Sequence, residues 1–242
     1  MNDLFGPKEI KKRVKNYINE HGHLFNGKTV VDIPAGNGYT TGLLLDAGAK
    51  VMAVDLIPEF FTETRAQCIY GDLNKKLNIE DSSADIVFFQ EGIEHLENPL
   101  QAFRELNRVL KTGGTLFLTT PNVSKLKSRV SHFLFETETI GRRMPPNEID
   151  TVWLAKNHND IYFGHLFLTG IQKLRTFGAV TGFALVKAMG TRLNLKSLYY
   201  FVVFYPFILI SSVLSYFRNI KKLKNNEADL QRKKNLPRTA YT

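Results

Sequence analysis

The chain is predicted to fold as an α/β protein: a doubly wound, mostly parallel sheet with helices on both faces, extended by an insertion after the fifth strand and by an apolar helix near the C-terminus. Three observations lead there. Short β-branched runs alternate with stretches of helical period over the first 120 residues, the pattern of strands joined by crossover helices. Two of those runs, through Val31 and through Val54, close on an acidic residue, and the first is followed by Gly36 and Gly38. From Leu198 to Phe217 no charged residue occurs over 20 positions.

The elements follow in order. Pro7 to Glu20 has a basic amphipathic helical pattern, and Thr29 to Ile33 reads as the first strand. A helix starts near Tyr39; strands are predicted over Lys50 to Asp55, Gln67 to Tyr70, Asp85 to Gln90 and Thr115 to Thr120. Between the last two, Pro99 to Leu110 places Leu100, Phe103, Leu106 and Leu110 on one helical face. Leu166 to Phe177 and Gly182 to Met189 supply a further helix and strand. A seventh strand has no place in the pattern, because the next apolar run is too long and uninterrupted to be one.

The glycine turn carries the first chemical reading. Gly36 and Gly38 let the backbone turn sharply and approach a ligand where a Cβ would collide, and the following helix start points free N–H groups at it. Asp55, ending the next strand, can accept both hydroxyls of a ribose. A dinucleotide fingerprint would need a third glycine at position 41, which is Thr41, so nicotinamide and flavin binding are disfavoured.

Val30 to Gly38, Asp55, Gly71-Asp72-Leu73, the run Ala84 to Pro99 with its Glu94-His95-Leu96 turn, and Arg104 to Asn122 with its Gly-Gly turn follow one another in register. In that order they resemble the motifs of class I S-adenosylmethionine-dependent methyltransferases. The resemblance covers about residues 28 to 122 and extends more loosely to Val186. It implies a Rossmann-like fold, S-adenosyl-L-methionine as cofactor, and a cofactor site formed by Asp32, Pro34, Ala35, Gly36, Gly38, Asp55, Leu56, Asp72, Leu73 and Gln90, with no metal required. Pro34 departs from the family, which usually has glycine there; proline lacks a donor, so other N–H groups of the loop must bind. Asp72 also reads as an ordinary turn residue before Leu73.

Methyl transfer to a hydroxyl requires an aligned nucleophile and a group to take its proton. His165 and His95 are the candidate bases, and Glu94 is placed to orient substrate or imidazole. A histidine can equally be a packing or capping residue, and the Glu-His-Leu turn recurs in family members that need no base.

The expected organisation is a catalytic domain over 1–190, an insertion over about 123–165, an apolar helix over 198–217 and a basic tail over 218–242. The insertion mixes Arg129, His132, Arg142, Arg143, Trp153, His158 and Tyr162, and it leaves the carboxyl end of strand five, where doubly wound sheets bind ligands; a lid is expected there rather than a solvated excursion. The apolar stretch holds eight aromatic residues, and as a helix it would be ~30 Å long, near the hydrocarbon thickness of a bilayer. The tail carries eight Lys or Arg against two acids, a surplus of six within the net +9. Three readings compete: a spanning helix, a membrane-surface or re-entrant segment bent at Pro206 with its cations on anionic head groups, and a helix packed on protein with a solvated tail. The surface reading is favoured, because a span would carry the cations across.

Nucleic acid is a poor partner for this tail, since no stacking aromatics interleave with Lys221, Lys222, Lys224 or Arg232 to Lys234. Cys68, the single cysteine, excludes an internal disulfide and reads as a structural thiol. No secretory signal is recognised, so a cytoplasmic enzyme at the cytoplasmic face of a membrane is expected. The substrate expected is a lipid, quinone-like or lipid-linked saccharide methylated on oxygen. The alternatives are a soluble small-molecule methyltransferase and a Rossmann-like binding or scaffold protein that has lost the cofactor.

Overall fold

A computed structural model describes residues 8–135, 152–154, 161–163, 169–190, 195–225 and 239–241. The central sheet contains β1 (Thr29–Asp32), β2 (Lys50–Asp55), β3 (Cys68–Tyr70), β4 (Ala84–Gln90), β5 (Leu110–Thr119), β8 (Phe183–Leu185) and β9 (Thr239–Tyr241) in the order β3-β2-β1-β4-β5-β9-β8. All neighbours run parallel. A short antiparallel ribbon, β6 (Val152–Leu154) with β7 (Ile161–Phe163), stands apart from it.

Strand alternation divides the core into two layers, because successive side chains leave a strand on opposite faces. Val31, Val54, Val87 and Phe89 pack on one face with Ala102, Phe103 and Leu106 of α3 (Pro99–Val109) and with Leu174 of α5 (Ile171–Val180). Val30, Ile86 and Phe88 pack on the other, against Val14 and Ile18 of α1 (Lys8–Glu20) and Leu44 of α2 (Tyr39–Asp46). Both faces of the sheet are thus covered, as a fully parallel sheet requires.

Several boundaries differ from the sequence expectation, among them the helix expected over Leu166 to Phe177, which runs Ile171–Val180. β5 begins at Leu110 rather than Thr115: Ala84 pairs with Leu110 and Ile86 with Thr115, so Lys111 to Gly114 form a bulge. Lys111 Nζ meets Asp85 Oδ1 at 2.9 Å, while Asp85 Oδ2 accepts from Thr29 N at 2.9 Å, which ties the bulge to the amino ends of β1 and β4. β8 covers only three residues of the predicted Gly182 to Met189, since its partner β9 is itself three residues long. Pro58–Phe60 form a single 3₁₀ turn between β2 and β3 where a full crossover helix is the usual solution.

β9 is the larger surprise. The last residues of the segment expected as a basic tail re-enter the sheet between β5 and β8, with Thr115 opposite Ala240 and Ala184 opposite Ala240 on the other side. The missing seventh strand is therefore supplied from beyond the apolar helix.

A second compact unit comprises residues 123–145 and 192–237. Within it α4 (Leu126–Phe135) packs on α6 (Leu195–Asn225), and Ser197 Oγ accepts from Lys127 N at 3.4 Å. The apolar helix is longer than the 198–217 expected: it continues through Pro206 and into the basic residues. The predicted insertion is divided, with α4 in this unit and the β6–β7 ribbon in the sheet's unit.

Candidate cofactor site

The strand order reverses between β1 and β4, and the loops leaving their carboxyl ends flank a crevice in which doubly wound sheets bind ligands. Asp32 ends β1, Asp55 ends β2 and Gln90 ends β4. From β1 the chain enters Ile33 to Gly38, where Ala35 N donates to Val54 O at 2.9 Å and hooks the loop to β2. Gly36 N donates to Asp55 Oδ2 at 2.7 Å, and Ile57 N donates to Oδ1 at 2.8 Å. Asp55 therefore shapes the glycine loop itself. Each of its oxygens retains a further lone pair, so it can hold the loop and still accept hydroxyls.

Gly38 is required twice. Its φ is +84°, and a Cβ there would lie 2.6 Å from Glu63 Cβ and 2.9 Å from Phe61 Cε2, so the loop can neither bear a side chain nor reach this geometry easily with one. Gly38 is also the N-cap of α2, whose first turn is braced to both strands. Thr41 Oγ1 donates to Asp32 Oδ2 at 2.6 Å, and Gln90 Nε2 donates to Thr40 Oγ1 at 2.9 Å.

Pro34 has a local explanation. A Cβ on Gly92, just past β4, would sit 2.6 Å from Phe89 Cε2 and 2.8 Å from Pro34 Cδ. The proline ring thus fills the space that Gly92 leaves, and the two loops meet across the switch point. Gly92→Ala is expected to lower stability by about 1–3 kcal/mol through overpacking, read as a fall in Tm. An unchanged Tm would show that the loops separate freely.

Three buried carboxylate oxygens lack a hydrogen-bond partner among the described residues: Asp32 Oδ1, Glu91 Oε1 and Glu94 Oε1. All belong to segments at the carboxyl ends of β1 and β4. Burial pushes Asp32 up to about 7 against the Thr41 hydrogen bond, with the Asp55 charge adding to the rise. Glu94, fully buried and accepting from Thr120 Oγ1 at 3.1 Å, is raised to about 7 by burial and then by Glu91. Burial also raises Glu91 and Asp55. Unpaired buried carboxyls are costly, and their concentration makes an acidic crevice suited to a cationic, hydroxyl-bearing ligand.

The structure gathers Asp32, Pro34, Ala35, Gly36, Gly38, Asp55 and Gln90 into one loop system, with Leu56 partly exposed beside Asp55. Asp72 and Leu73 behave differently. Asp72 Oδ1 accepts from Asn74 N at 2.9 Å and pairs with Lys75, the turn role, while Leu73 is buried in the core. Gly71 is a packing glycine, since its Cβ would lie 2.3 Å from Val54 Cγ1. Glu94 and His95 share a 3₁₀ turn after β4, whereas His165 lies outside the described residues. Sequence reasoning missed Thr40, Thr41, Glu91 and Gly92. Glu91 had a signal, the spacing of three to Glu94; the threonines had none beyond their place in the helix's first turn.

Fold and loop system together make an α/β domain whose switch-point crevice suits a nucleoside-bearing ligand. Residues 31–118 match a family model described as a methyltransferase domain. Over that stretch, a little more than a third of its length, the chain is similar to class I S-adenosylmethionine-dependent methyltransferases. Among curated relatives, it is 33% identical over 105 residues to a ubiquinone biosynthesis O-methyltransferase of Xanthomonas campestris pv. campestris, covering 40% of this chain and 44% of that one. It is 29% identical over 118 residues to the protein of the same description from Aliivibrio fischeri, covering 44% and 50%. The matched stretch spans about half the length of these relatives. Solved structures share the fold: the YcgJ protein of Bacillus subtilis, with a TM-score of 0.53 at 17% identity over 72% of this chain and 69% of that one, and an Aquifex aeolicus SAM-dependent methyltransferase, with 0.51 at 18% over 75% and 85%.

The residues present fit S-adenosyl-L-methionine. Asp55 would hold the ribose, the orphaned oxygen of Asp32 would face the amino-acid end, and the acidic crevice complements a sulfonium cation.

Proposed function

We propose that the chain transfers a methyl group from S-adenosyl-L-methionine to an oxygen of a quinone-like or other lipid-borne hydroxyl at a membrane surface. The observation that carries the reading is the orphaned, fully buried Asp32 oxygen beside an Asp55-clamped glycine loop, in a segment matching a methyltransferase domain. The ubiquinone O-methyltransferase relatives support oxygen as the acceptor atom and a quinone-like substrate. The exposed apolar helix supports the membrane surface.

When bound, the cofactor supplies a methyl carbon activated by a sulfonium. The chain's residues supply the rest. Asp55 and the glycine loop hold the donor, and the acceptor's hydroxyl proton passes to His165, His95 or Glu94 as a new C–O bond forms and the C–S bond breaks. A carboxyl with its pKa near 7, as at Glu94, is part-ionised at neutral pH and can accept that proton.

Two measurements test the reading. S-adenosylhomocysteine should bind by calorimetric titration, and incubation of a cell lysate with methyl-labelled cofactor should place label in a lipid-extractable ether found by mass spectrometry. Binding with label only in water-soluble products would turn the reading to a soluble small-molecule methyltransferase. Absence of both would leave a scaffold protein.

A further inference from the structure

The path of the chain around α6 decides how that helix can meet a bilayer. β8 precedes α6 and β9 follows it, and both strands belong to one sheet, paired Phe183 to Thr239 and Leu185 to Tyr241. Between them Ser197–Lys221 is long and apolar enough to cross a membrane, and no residue of its most apolar stretch is buried. A single crossing would leave β9 on the far side of the bilayer from its partners β5 and β8. The chain would then have to return through residues 226–238. Those 13 residues could reach ~45 Å fully extended, enough to cross. Their chemistry forbids it: Glu227, Asp229, Arg232, Lys233, Lys234 and Arg238 would enter hydrocarbon on a strand with unpaired backbone.

The composition around α6 suits an anionic lipid surface, and the pairing of β9 with β5 and β8 sets the placement on it. Lys196 precedes its uncharged stretch and Arg218, Lys221, Lys222 and Lys224 follow it, so cations stand at both ends. Tyr199, Tyr200 and Tyr216 lie at the margins, where amphipathic rings favour the head-group region. α4, packed on the same helix, adds Lys127 and Arg129 ahead of Phe133 and Leu134, which are 85% and 56% exposed. An apolar surface edged by cations complements an anionic bilayer.

We infer that α6, with α4 beside it, lies in the plane of one leaflet of an anionic bilayer and is fastened to the sheet at both ends by β8 and β9. This rests on the membrane-surface part of the proposed function and fixes its topology. The anchor is an insertion between two strands of the catalytic sheet.

The test uses full-length protein, with Cys68→Ser as background, added to phosphatidylglycerol–phosphatidylcholine vesicles. Single cysteines placed in turn over 198–217 carry a fluorophore, and its depth is read by quenching with bromolipids. An in-plane helix gives quenching of helical period at one shallow depth from end to end, and an epitope placed after Thr242 remains open to protease outside the vesicle. A profile deepest near Phe207, with the epitope protected, overturns the proposal in favour of a span. Protein that stays off the vesicles at low salt and sediments as a dimer overturns it in favour of a second copy covering α6. Titration of the same preparation with S-adenosylhomocysteine keeps these outcomes separate from failure of the methyltransferase reading, because that binding depends on β1, β2 and β4 and not on lipid.

Discussion

Asp55→Ala is expected to weaken S-adenosylhomocysteine binding by about 10²- to 10⁴-fold. Two hydroxyls donating to a carboxylate are worth about 1.5–3 kcal/mol each, and ~1.4 kcal/mol corresponds to tenfold in affinity. The same substitution frees the N–H of Gly36 and of Ile57, now held at 2.7 and 2.8 Å, so the glycine loop loses its shape as well as its partner. The fold should persist, since β2 is anchored by Ala53 and Val54, both buried, and by its pairing to β1 and β3. Calorimetry alongside circular dichroism makes the check. An unchanged Kd in a folded Asp55→Ala variant would remove Asp55 from the cofactor site.

The second large effect is on stability as a function of pH. Asp32 and Glu94 titrate near 7 in the folded chain, raised by burial from 3.8 and 4.5. Between about pH 4 and 7 the folded state therefore holds protons that the unfolded chain has released, so ν_U is below ν_N and the free energy of unfolding falls as pH rises. Above about 7 both states are ionised at these groups and the dependence flattens. The total is on the order of a few kcal/mol. Without ligand, Tm should drop from pH 5 to pH 8, and Asp32→Asn and Glu94→Gln should each flatten part of the slope. A Tm that rises across that range in the parent chain would contradict the burial of these carboxyls. Affinity for the sulfonium-bearing cofactor should increase over the same window, as the crevice gains negative charge.

Legibility differed by residue. Asp32, Gly36, Gly38, Asp55 and Gln90 could be placed because strand ends and glycine turns have local signatures, and the structure brings them together. Leu73 was read toward the cofactor and is a core residue; a leucine after a turn looks the same in sequence whether it faces ligand or sheet. Glu91 and Gly92 escaped because their roles depend on Thr119 and Pro34, which lie elsewhere in the chain.

The sequence by itself determined the alternation of strands and helices, the cofactor motif and the apolar, cation-edged helix, all of which depend on period and on nearest neighbours along the chain. Tertiary structure alone decided the position of the seventh strand. Thr239–Tyr241 has no pattern long enough to declare a strand, and it becomes one only because β5 and β8 each present an unpaired edge to it. Hydrogen bonding between segments far apart along the chain supplies what local propensity lacks, and it converts an apparent C-terminal tail into a strand of the sheet.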